Sequence, residues 1–394
     1  MRYEKKRFFR QRRMTVTVVA AVLFAAGCGQ AVSEQKRIAE ICNDFYKKEG
    51  EELKQENGLE EVQRLVNVLG ESGYPAVDNR NQTDMAGAQE VLAFCEKKEA
   101  GEKAALAIAE VGYGNDFAVY ELDTEGGEVD VTRSYYKYEN GRAEKKSEGV
   151  YRAEVWKYTE EGYLIFSGAW DSLQQRVLTM SETEEHAALR VQPLEERYRE
   201  WNREYLLPVG YEQNNLFLTD WNGEDFGEID FYDVYDIFYP LIYGEEVPYT
   251  ADENLGKGAV YRIPKEEFER VVMRFFDIDS ETLREKTIYH AEDQTYEYRP
   301  RGLYEVEYPE YPYPEVTGAS QNDDGTITLT VQAVFPYEDD SRVLVHEVTV
   351  RPEKDGGVKY ISNKRIFPEE GVDVSWHVPR LTEEEWKSVY EGND

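Results

Sequence analysis

Apolar residues recur every three or four positions between residues 33 and 99, and every second position in the segment that follows. The first spacing predicts amphipathic helices, which we place at residues 33–49, 58–69 and 84–99. The second spacing predicts strands, because successive side chains of a strand point to opposite faces of the sheet. These strands are placed at residues 104–111, 117–122, 128–138, 149–159 and 163–170. The Asn140-Gly141 pair predicts a tight hairpin turn among them.

The second half of the chain repeats this order of helices before strands. Its helices are predicted at residues 193–205, 231–239 and 264–276. Its strands are predicted at residues 294–308, 326–335, 342–351 and 357–365. Between the two halves, residues 172–192 are more polar, and the run 181–185 predicts a linker or an exposed loop.

These patterns predict an α+β fold in two tandem domains, residues 28–185 and residues 186–394. In each domain the helices precede an antiparallel β-meander. Each half is long enough to bury a core of its own. For the second domain we expect a cystatin-like or nuclear-transport-factor-like (NTF2-like) sheet, curved around a helix.

The beginning of the chain has the composition of an export signal. Residues 2–13 are basic, residues 14–27 carry no charge, and Cys28 follows. The uncharged run is shorter than the roughly 20 residues that a membrane-spanning helix needs. The stretch Phe-Ala-Ala-Gly-Cys at 24–28 resembles the bacterial lipobox, in which the cysteine is acylated and becomes the new N-terminus. We therefore expect residues 1–27 to be a lipoprotein signal peptide and Cys28 to carry fatty acyl chains such as palmitate; a signal peptide without lipidation is the alternative.

The composition narrows the class of partner. With 80 Asp+Glu against 46 Lys+Arg, the formal net charge is -34. This surplus of negative charge repels nucleic acid and anionic lipid, and we exclude both as primary partners. The membrane is therefore reached only through the lipid anchor. Hydrophobic residues make up 41% of the chain and aromatic residues 13%, which excludes a disordered protein.

Two cysteines remain after Cys28. Cys42 and Cys95 both lie on apolar faces of predicted helices. In an exported protein they could form a disulfide that closes a loop of about 50 residues. They could equally be small buried hydrophobic residues with free thiols. The sequence leaves both alternatives open.

Motifs for nucleotide binding, serine hydrolysis and zinc binding are absent from the sequence. Of the four histidines, His346 lies in the middle of a predicted strand, and we expect it to be a half-buried histidine with its hydrogen bonds satisfied. Carboxylate pairs of the kind that hydrolyse glycosides are too numerous among 80 acids to select a site. Residues 296–314 are rich in Tyr and Pro, and we interpret them as a strand and a proline-stiffened connection that pack their rings on a sheet; a stacking platform for sugar or peptide is the alternative.

Residues 204–256 contain no Lys or Arg but many acids. Uncompensated carboxylates repel one another and raise one another's pKa. The loop 220–225 carries oxygen side chains at alternate positions, as a hard cation such as calcium prefers. The predicted ligand or cation face consists of Asp220, Trp221, Asn222, Glu224 and Asp225, with Trp221 as its stacking residue. The alternative is a turn with solvent-facing acids, followed by a helix that Asp230 caps.

Five strings carry a resemblance to a known family. They are 208–215 (PVGYEQNN), 217–221 (FLTDW), 231–233 (FYD), 298–302 (YRPRG) and 381–386 (LTEEEW). Together they resemble an uncharacterised lipoprotein family of clostridial gut bacteria, over nearly the whole mature chain. The resemblance implies a Gram-positive cell that carries the protein on the extracellular face of its membrane. It implies no activity, substrate or catalytic residue.

The anchor, the two sheet-bearing domains and the tyrosine-rich composition favour a non-enzymatic ligand-binding or accessory module. Its expected partner is a carbohydrate or another protein. We expect no cofactor, with calcium as the alternative. Two other functions remain open from the sequence: a polysaccharide hydrolase that uses a carboxylate pair, and a scaffold for another envelope protein.

Overall fold

A five-stranded meander forms the centre of the N-terminal half. The computed structural model describes residues 33–49, 58–170, 184–254, 257–306, 310–369 and 373–391. The predicted signal peptide and Cys28 lie outside the described residues. The strands of the first sheet are Ala76–Asp78 (β1), Ala104–Val111 (β2), Asp116–Glu125 (β3), Glu128–Glu139 (β4) and Arg142–Arg152 (β5). They lie side by side in this order, with β1 parallel to β2 and every other pair antiparallel.

Helices cover both faces of this sheet. They are Glu34–Glu49 (α1), Leu59–Glu71 (α2) and Ala88–Glu99 (α3). Along β2, Ala107 and Ala109 pack with α1 and α2, whereas Ile108 packs with α3. Since neighbouring residues of a strand face opposite sides, the sheet lies between α3 and the other two helices. All three predicted helices are confirmed, although α3 begins at Ala88 rather than near residue 84.

The two described cysteines lie on opposite sides of the sheet. Cys42 on α1 packs in one cluster of buried residues and Cys95 on α3 packs in the other. Both thiols are free. Burial raises the pKa of Cys42 and raises the pKa of Cys95 to about 11, which keeps both protonated and unreactive at neutral pH. In the structure, Cys42 and Cys95 are therefore small buried hydrophobic residues with free thiols, and not the two halves of a disulfide.

The predicted hairpin is confirmed, but the strand after it is not. Asn140 and Gly141 join β4 to β5, both with positive φ, 53° and 77°, as a two-residue hairpin turn requires. The single strand predicted at 149–159 is wrong. The backbone N–H of Ala153 still donates to Val129 of the first sheet, whereas that of Glu154 donates to Ser167 of the next sheet. The chain therefore changes sheets at this point.

The second sheet connects the two halves of the chain. Its strands are Val155–Tyr158 (β6), Tyr163–Ala169 (β7) and Glu184–Arg190 (β8), all antiparallel. β8 lies within the predicted linker, whose part at 171–183 is outside the described residues, and the predicted boundary between residues 185 and 186 falls inside this strand. From Glu34 onward the chain forms one compact unit. Tyr163 and Ile165 of β7 pack against Val334 of the C-terminal half.

The C-terminal half is built around another five-stranded sheet, which is antiparallel throughout. Its strands, in spatial order, are Tyr313–Gln321 (β13), Ile327–Phe335 (β14), Asp340–Pro352 (β15), Val358–Phe367 (β16) and Trp221–Asn222 (β9). The alternation predicted for β14 is confirmed, since Ile327, Leu329, Val331 and Ala333 are buried in one core cluster. The strands predicted at 342–351 and 357–365 correspond to β15 and β16.

Five helices and a small sheet surround this core. The helices are Glu196–Trp201 (α4, continued by a π-helix at Asn202–Leu206), Phe231–Tyr243 (α5), Lys265–Phe275 (α6), Ser280–Glu285 (α7) and Glu383–Tyr390 (α8). The sheet has the order β10 (Tyr261–Pro264), β12 (Thr295–Tyr298), β11 (Tyr289–His290). The α+β class is thereby confirmed. The strand predicted at 294–308 is wrong beyond Tyr298, because Pro300 and a 3-10 turn at Leu303–Glu305 follow β12. Tyr296 and Tyr298 are buried, as packed rings should be, whereas Tyr304 is exposed.

Both ring nitrogens of His346 in β15 are bonded, which confirms that its hydrogen bonds are satisfied. The side chain is fully buried, however, rather than half-buried as predicted. Nδ1 lies 2.7 Å from Oδ1 of Asn363, and Nε2 lies 3.0 Å from the hydroxyl of Tyr211. The amide of Asn363 donates to the carbonyls of Phe217 and Thr219, so its Oδ1 can only accept. His346 is therefore neutral, with its proton on Nδ1 and Tyr211 donating to Nε2.

Acid is expected to destabilise the protein through His346. Burial lowers the pKa of His346 to about 4, whereas an unfolded histidine titrates near 6.5. The neutral form thus stabilises the fold above pH 6.5, and this contribution is lost as the pH falls towards 4. Between pH 7 and pH 5 the loss is about 2 kcal/mol. Urea unfolding of the parent and of His346→Gln at both pH values isolates this contribution. We expect the variant to have a lower free energy of unfolding than the parent at pH 7, and to lose about 2 kcal/mol less of it between pH 7 and pH 5. Equal losses in the two proteins would contradict the assignment.

Candidate functional site

Three aspartates of the lysine-free segment lie along one face at the start of α5. Asp230 is the N-cap, and its Oδ1 accepts from the backbone N–H groups of Tyr232 and Asp233 at 2.8 and 3.2 Å, which confirms the predicted cap. Asp233 and Asp236 follow at intervals of three residues, a spacing that places side chains on neighbouring turns of a helix. Asp233 is only 1% exposed.

Two arginines from distant parts of the chain neutralise these aspartates. Arg301 binds Asp233 with two parallel bonds, 3.0 Å from Nε to Oδ1 and 2.8 Å from one terminal nitrogen to Oδ2. Arg380 reaches Asp233 at 2.6 Å and Asp236 at 2.5 Å, and its Nε lies 3.7 Å from Asp230. We call these five residues the Arg380 cluster. Both guanidinium groups are 8% exposed.

The expectation of uncompensated acids is wrong for this part of the segment. It counted charges only along residues 204–256, whereas the compensating cations come from positions 301 and 380. Burial raises the pKa of Asp236 to about 6 even though Arg380 opposes the shift. Burial and the neighbouring Asp233 raise the pKa of Asp230. Burial disfavours the charge on Arg380, but the three carboxylates outweigh it and raise its pKa. Arg380 therefore keeps its positive charge, and the ionised forms of the three carboxylates depend on that charge.

The Arg380 cluster also ties three segments of backbone together. Arg380 donates to the carbonyl of Arg299 at 2.6 Å, and Arg301 donates to the carbonyl of Val378 at 2.8 Å. Glu305, 3% exposed, accepts from the backbone N–H of Leu381 at 3.0 Å. Residues 378–381 are therefore held against residues 299–305 beside the start of α5.

A cavity of about 460 Å³ opens beside the Arg380 cluster. We call it the polar cleft. Its cationic side chains are Lys286, Arg365 and Arg380, and its walls also include the acids Glu228, Asp230 and Asp373. A smaller cavity of about 250 Å³ shares Asp230, Tyr232 and Arg380 with it. Asp230 and Arg380 of the cluster thus contribute charged groups to both cavities.

Trp221 is not the exposed stacking residue that the sequence predicted. It is 3% exposed, and its indole nitrogen donates to the carbonyl of Leu216 at 2.8 Å. Its ring stacks on Phe226, with 6.2 Å between the ring centroids, inside the core. That prediction is wrong, because the alternation in 220–225 points the largest ring of the loop inward.

Three polar side chains of the loop, those of Asp220, Asn222 and Asp225, accept hydrogen bonds from the backbone. Asn222 Oδ1 accepts from the backbone of Glu224 and Asp225, and Asp225 Oδ1 accepts from Gly227. Asp220 Oδ1 accepts from the backbone N–H of Arg365 at 2.6 Å. Within the described part of the chain, no group of three or more His, Cys, Asp or Glu side chains could hold a metal ion. Calcium at this loop remains a prediction, and the loop borders the polar cleft through Asp220's neighbours, Thr219 and Leu218.

The signal that could have identified the cluster was present in the sequence. Asp233 belongs to the string at 231–233, Arg301 to the string at 298–302, and Arg380 directly precedes the string at 381–386. Two of the five strings, and the residue before a third, therefore meet in the Arg380 cluster. Nothing in the sequence alone indicated that segments more than sixty residues apart meet.

A second group of reactive residue types meets between the halves of the chain. Ser167 donates to Oδ2 of Asp339 at 2.8 Å, and His186 Nδ1 lies 3.1 Å from Oδ1 of the same carboxylate. In a serine hydrolase the hydroxyl must bond to the imidazole, which takes its proton. Here hydroxyl and imidazole both bond to the carboxylate, so the histidine does not activate the serine.

Comparison with known proteins yields one match. A family model described as "Family of unknown function (DUF6070)" matches residues 29–380. The search of curated proteins and the search of solved structures each found no match. Among the described residues, every helix is too short or too polar to cross a membrane.

Proposed function

The chain belongs to the DUF6070 family of unknown function, and from that premise we propose that it is an extracellular binding module, anchored to the membrane through a lipid on Cys28. The ligand is a sugar residue of a glycan, which is polyhydroxylated. It binds in the polar cleft. The anchor places this cleft outside a Gram-positive cell, where glycans are accessible.

The observation that carries the proposal is the mixture of fixed donors and acceptors around the polar cleft. Lys286 and Arg380 can donate, whereas Glu228 and Asp230 can accept. A sugar hydroxyl donates and accepts at once, so a polyol can satisfy both kinds of group. A strongly charged ligand would instead meet like charge on part of the wall. Asp230 and Arg380 are already held in place by bonds within the protein, which reduces the entropic cost of ordering them on binding.

Two observations support the lipid anchor. The family match begins at residue 29, directly after Cys28. The basic and apolar runs before Cys28 have the order of a signal peptide. The full chain has a net charge of -34, and its residues 2–13 are basic. The part that follows Cys28 is therefore more negative still and gains nothing from an anionic membrane surface, so stable attachment depends on the acyl chains.

A carboxylate-pair hydrolase is the second candidate function. It is favoured by the raised pKa values of Asp230 and Asp236, since the value of about 6 for Asp236 suits a general acid. Against it, Asp233 bonds to Arg301 through both of its oxygens and Asp230 caps α5. These carboxylates serve the structure as acceptors, and we therefore rank binding above hydrolysis.

A glycan array followed by calorimetry tests the proposal. The protein would be the soluble chain 29–394, which contains the whole compact unit Glu34–Asp394. Among the described residues, the one hydrogen-bond partner of the Lys286 ammonium group is the carbonyl of Gly227. Lys286→Gln should therefore leave the melting temperature nearly unchanged while it weakens glycan binding about tenfold, the effect of losing one charged hydrogen bond. The matched control is Lys97→Gln on the exposed side of α3.

The outcomes separate the two candidates. Saturable binding without turnover supports the binding module. Release of sugar that stops in Asp236→Asn would replace it with the hydrolase. No binding to any glycan by a protein with a normal melting temperature would contradict the proposed ligand class.

A further inference from the structure

A further cavity of about 520 Å³, chemically different from the polar cleft, lies elsewhere in the C-terminal half. It forms where the π-helix after α4, the end of α5, α6 and the start of β16 meet. Its apolar wall consists of Tyr205, Leu241, Ile242, Phe275, Val358 and Tyr360. Arg270 and Arg274 of α6 border the same cavity. We call it the arginine pocket.

The two arginines form a cationic rim. They are one helical turn apart, so their side chains extend from the same face of α6. Arg274 has an exposed partner, Asp355, at 3.3 Å. The side chain of Arg270 is exposed and makes no ion pair or hydrogen bond with any residue that the structure describes. It borders the apolar cavity, so its charge is available to an anion there.

The apolar wall is available to a ligand. Tyr205, Phe275 and Tyr360 are largely buried and hold their rings in place, and the hydroxyl of Tyr360 donates to the carbonyl of Tyr205 at 2.7 Å. Leu241 is 52% exposed at the cavity. An exposed leucine above fixed aromatic rings provides apolar contact area that water satisfies poorly.

Gly357 gives Arg274 its position. A Cβ atom on this glycine would lie 1.8 Å from a terminal nitrogen of Arg274, so the guanidinium group rests directly on the backbone of the turn before β16. The φ angle of Gly357 is not in the left-handed region, and an alanine there would keep the backbone and displace only the guanidinium group.

We propose that the arginine pocket binds an amphipathic monocarboxylate, an organic acid with one carboxylate on an aromatic or branched apolar body. The carboxylate binds the guanidinium groups of Arg270 and Arg274, whose planar forks match its geometry. The apolar body lies on the rings of Tyr205, Phe275 and Tyr360. The volume is within the range of small-molecule sites. This site is separate from the polar cleft and does not depend on the glycan ligand.

The charges around the pocket further restrict the chemical class of the ligand. Glu204 also borders the cavity, and a ligand with a second negative charge would be repelled by it. In an α-amino acid the ammonium group is one carbon from the carboxylate, so it would lie against the arginines. We therefore expect the acid without an amino group to bind best.

Calorimetry with 3-phenylpropionate as the probe tests the pocket on the soluble chain 29–394. We expect a dissociation constant on the order of 0.1 to 1 mM, as befits a ligand of this size. Phenylalanine should bind at least tenfold more weakly, and 2-phenylethylamine should not bind. Affinity should fall as salt is added, because the carboxylate contact is partly exposed.

Variants then assign the binding to the pocket. Arg270→Gln and Gly357→Ala should each weaken 3-phenylpropionate binding at least tenfold with little change in melting temperature. Glu204→Gln should strengthen it two- to threefold. The control Arg142→Gln, an exposed arginine of β5, should bind like the parent. The proposal is overturned if the folded parent shows no saturable binding, if phenylethylamine binds as well as phenylpropionate, or if Arg270→Gln binds unchanged.

Discussion

Replacement of Arg380 by Met is expected to lower the free energy of unfolding by about 3 to 5 kcal/mol, the usual result of breaking a buried ion pair. The variant keeps most of the side chain's length but leaves Asp233 and Asp236 without the cation that binds both at 2.5 to 2.6 Å. It also removes the donor to the carbonyl of Arg299. Urea unfolding at pH 7 measures the loss.

Two further measurements show whether charge is the cause. Asp236 is the acid whose pKa is already raised to about 6, and protonation relieves an unpaired carboxylate, so the loss in Arg380→Met should shrink at pH 5. Asp236→Asn added to Arg380→Met should recover part of the stability, because Arg380 is the arginine that binds Asp236, whereas Asp233 keeps its two bonds to Arg301. Arg152→Met is the control, because Arg152 pairs with Asp130 on the exposed surface of the first sheet and such pairs contribute little. A similar small loss in both arginine variants would show that the Arg380 cluster does not stabilise the fold.

The features that the sequence predicted well are those whose cause is local. The buried side of α2 consists of Val62, Leu65, Val66 and Leu69, and this spacing is visible within one helix. The turn at Asn140-Gly141 requires positive φ at two adjacent residues, and that requirement is met by the two residue types themselves. Neither depends on what the rest of the chain does.

Strand β13 shows how a local rule misled. Residues 312–314 contain two prolines, and a proline argues against a strand because it has no N–H for the ladder. β13 nevertheless runs from Tyr313 to Gln321 and contains Pro314. It lies at the edge of its sheet, where one side of the backbone needs no partner. The position of a strand within a sheet is a tertiary property that the sequence did not reveal.

The Arg380 cluster was missed for a related reason. Arg301 and Arg380 lie 68 and 147 residues from Asp233 along the chain. Charge patterns within a window of sequence therefore described residues 204–256 as uncompensated, although two buried arginines pair with three of its aspartates in the fold. The hydrogen bonds of the loop at 220–225 were also not visible in the sequence, since Asp220 accepts from the backbone of Arg365, a residue 145 positions away.

A buried ion pair between the two halves of the chain gives the second large effect. Arg190 of β8 and Glu315 of β13 are 6% and 2% exposed and lie 2.8 Å apart. Tyr163 and Asn81 donate to the same carboxylate. Glu315→Ala leaves Arg190 buried without its counter-charge and both donors without an acceptor. We expect a loss of about 3 to 5 kcal/mol in the free energy of unfolding.

The partner variant should behave differently with pH. Burial raises the pKa of Glu315, and Arg190 opposes that shift; without Arg190 the pKa rises further. A raised pKa in the folded state favours the protonated form, so the stability of Arg190→Met is retained at low pH and lost as the pH rises. Its loss relative to the parent should therefore be smaller at pH 5 than at pH 8. Glu315→Ala strands a guanidinium that cannot lose its proton and has no carboxyl group at this position to titrate. Its own free energy of unfolding should therefore change less between pH 5 and pH 8 than that of Arg190→Met.

The double variant completes the test. Arg190→Met with Glu315→Gln removes both charges, and it should be more stable than Glu315→Ala because no buried charge remains unpaired. Chemical unfolding of the three variants at pH 5 and pH 8 gives all the comparisons. If Arg190→Met lost as much at pH 5 as at pH 8, Glu315 would not be the carboxylate that titrates. If the double variant were the least stable of the three, shape and packing rather than charge would hold β8 to β13.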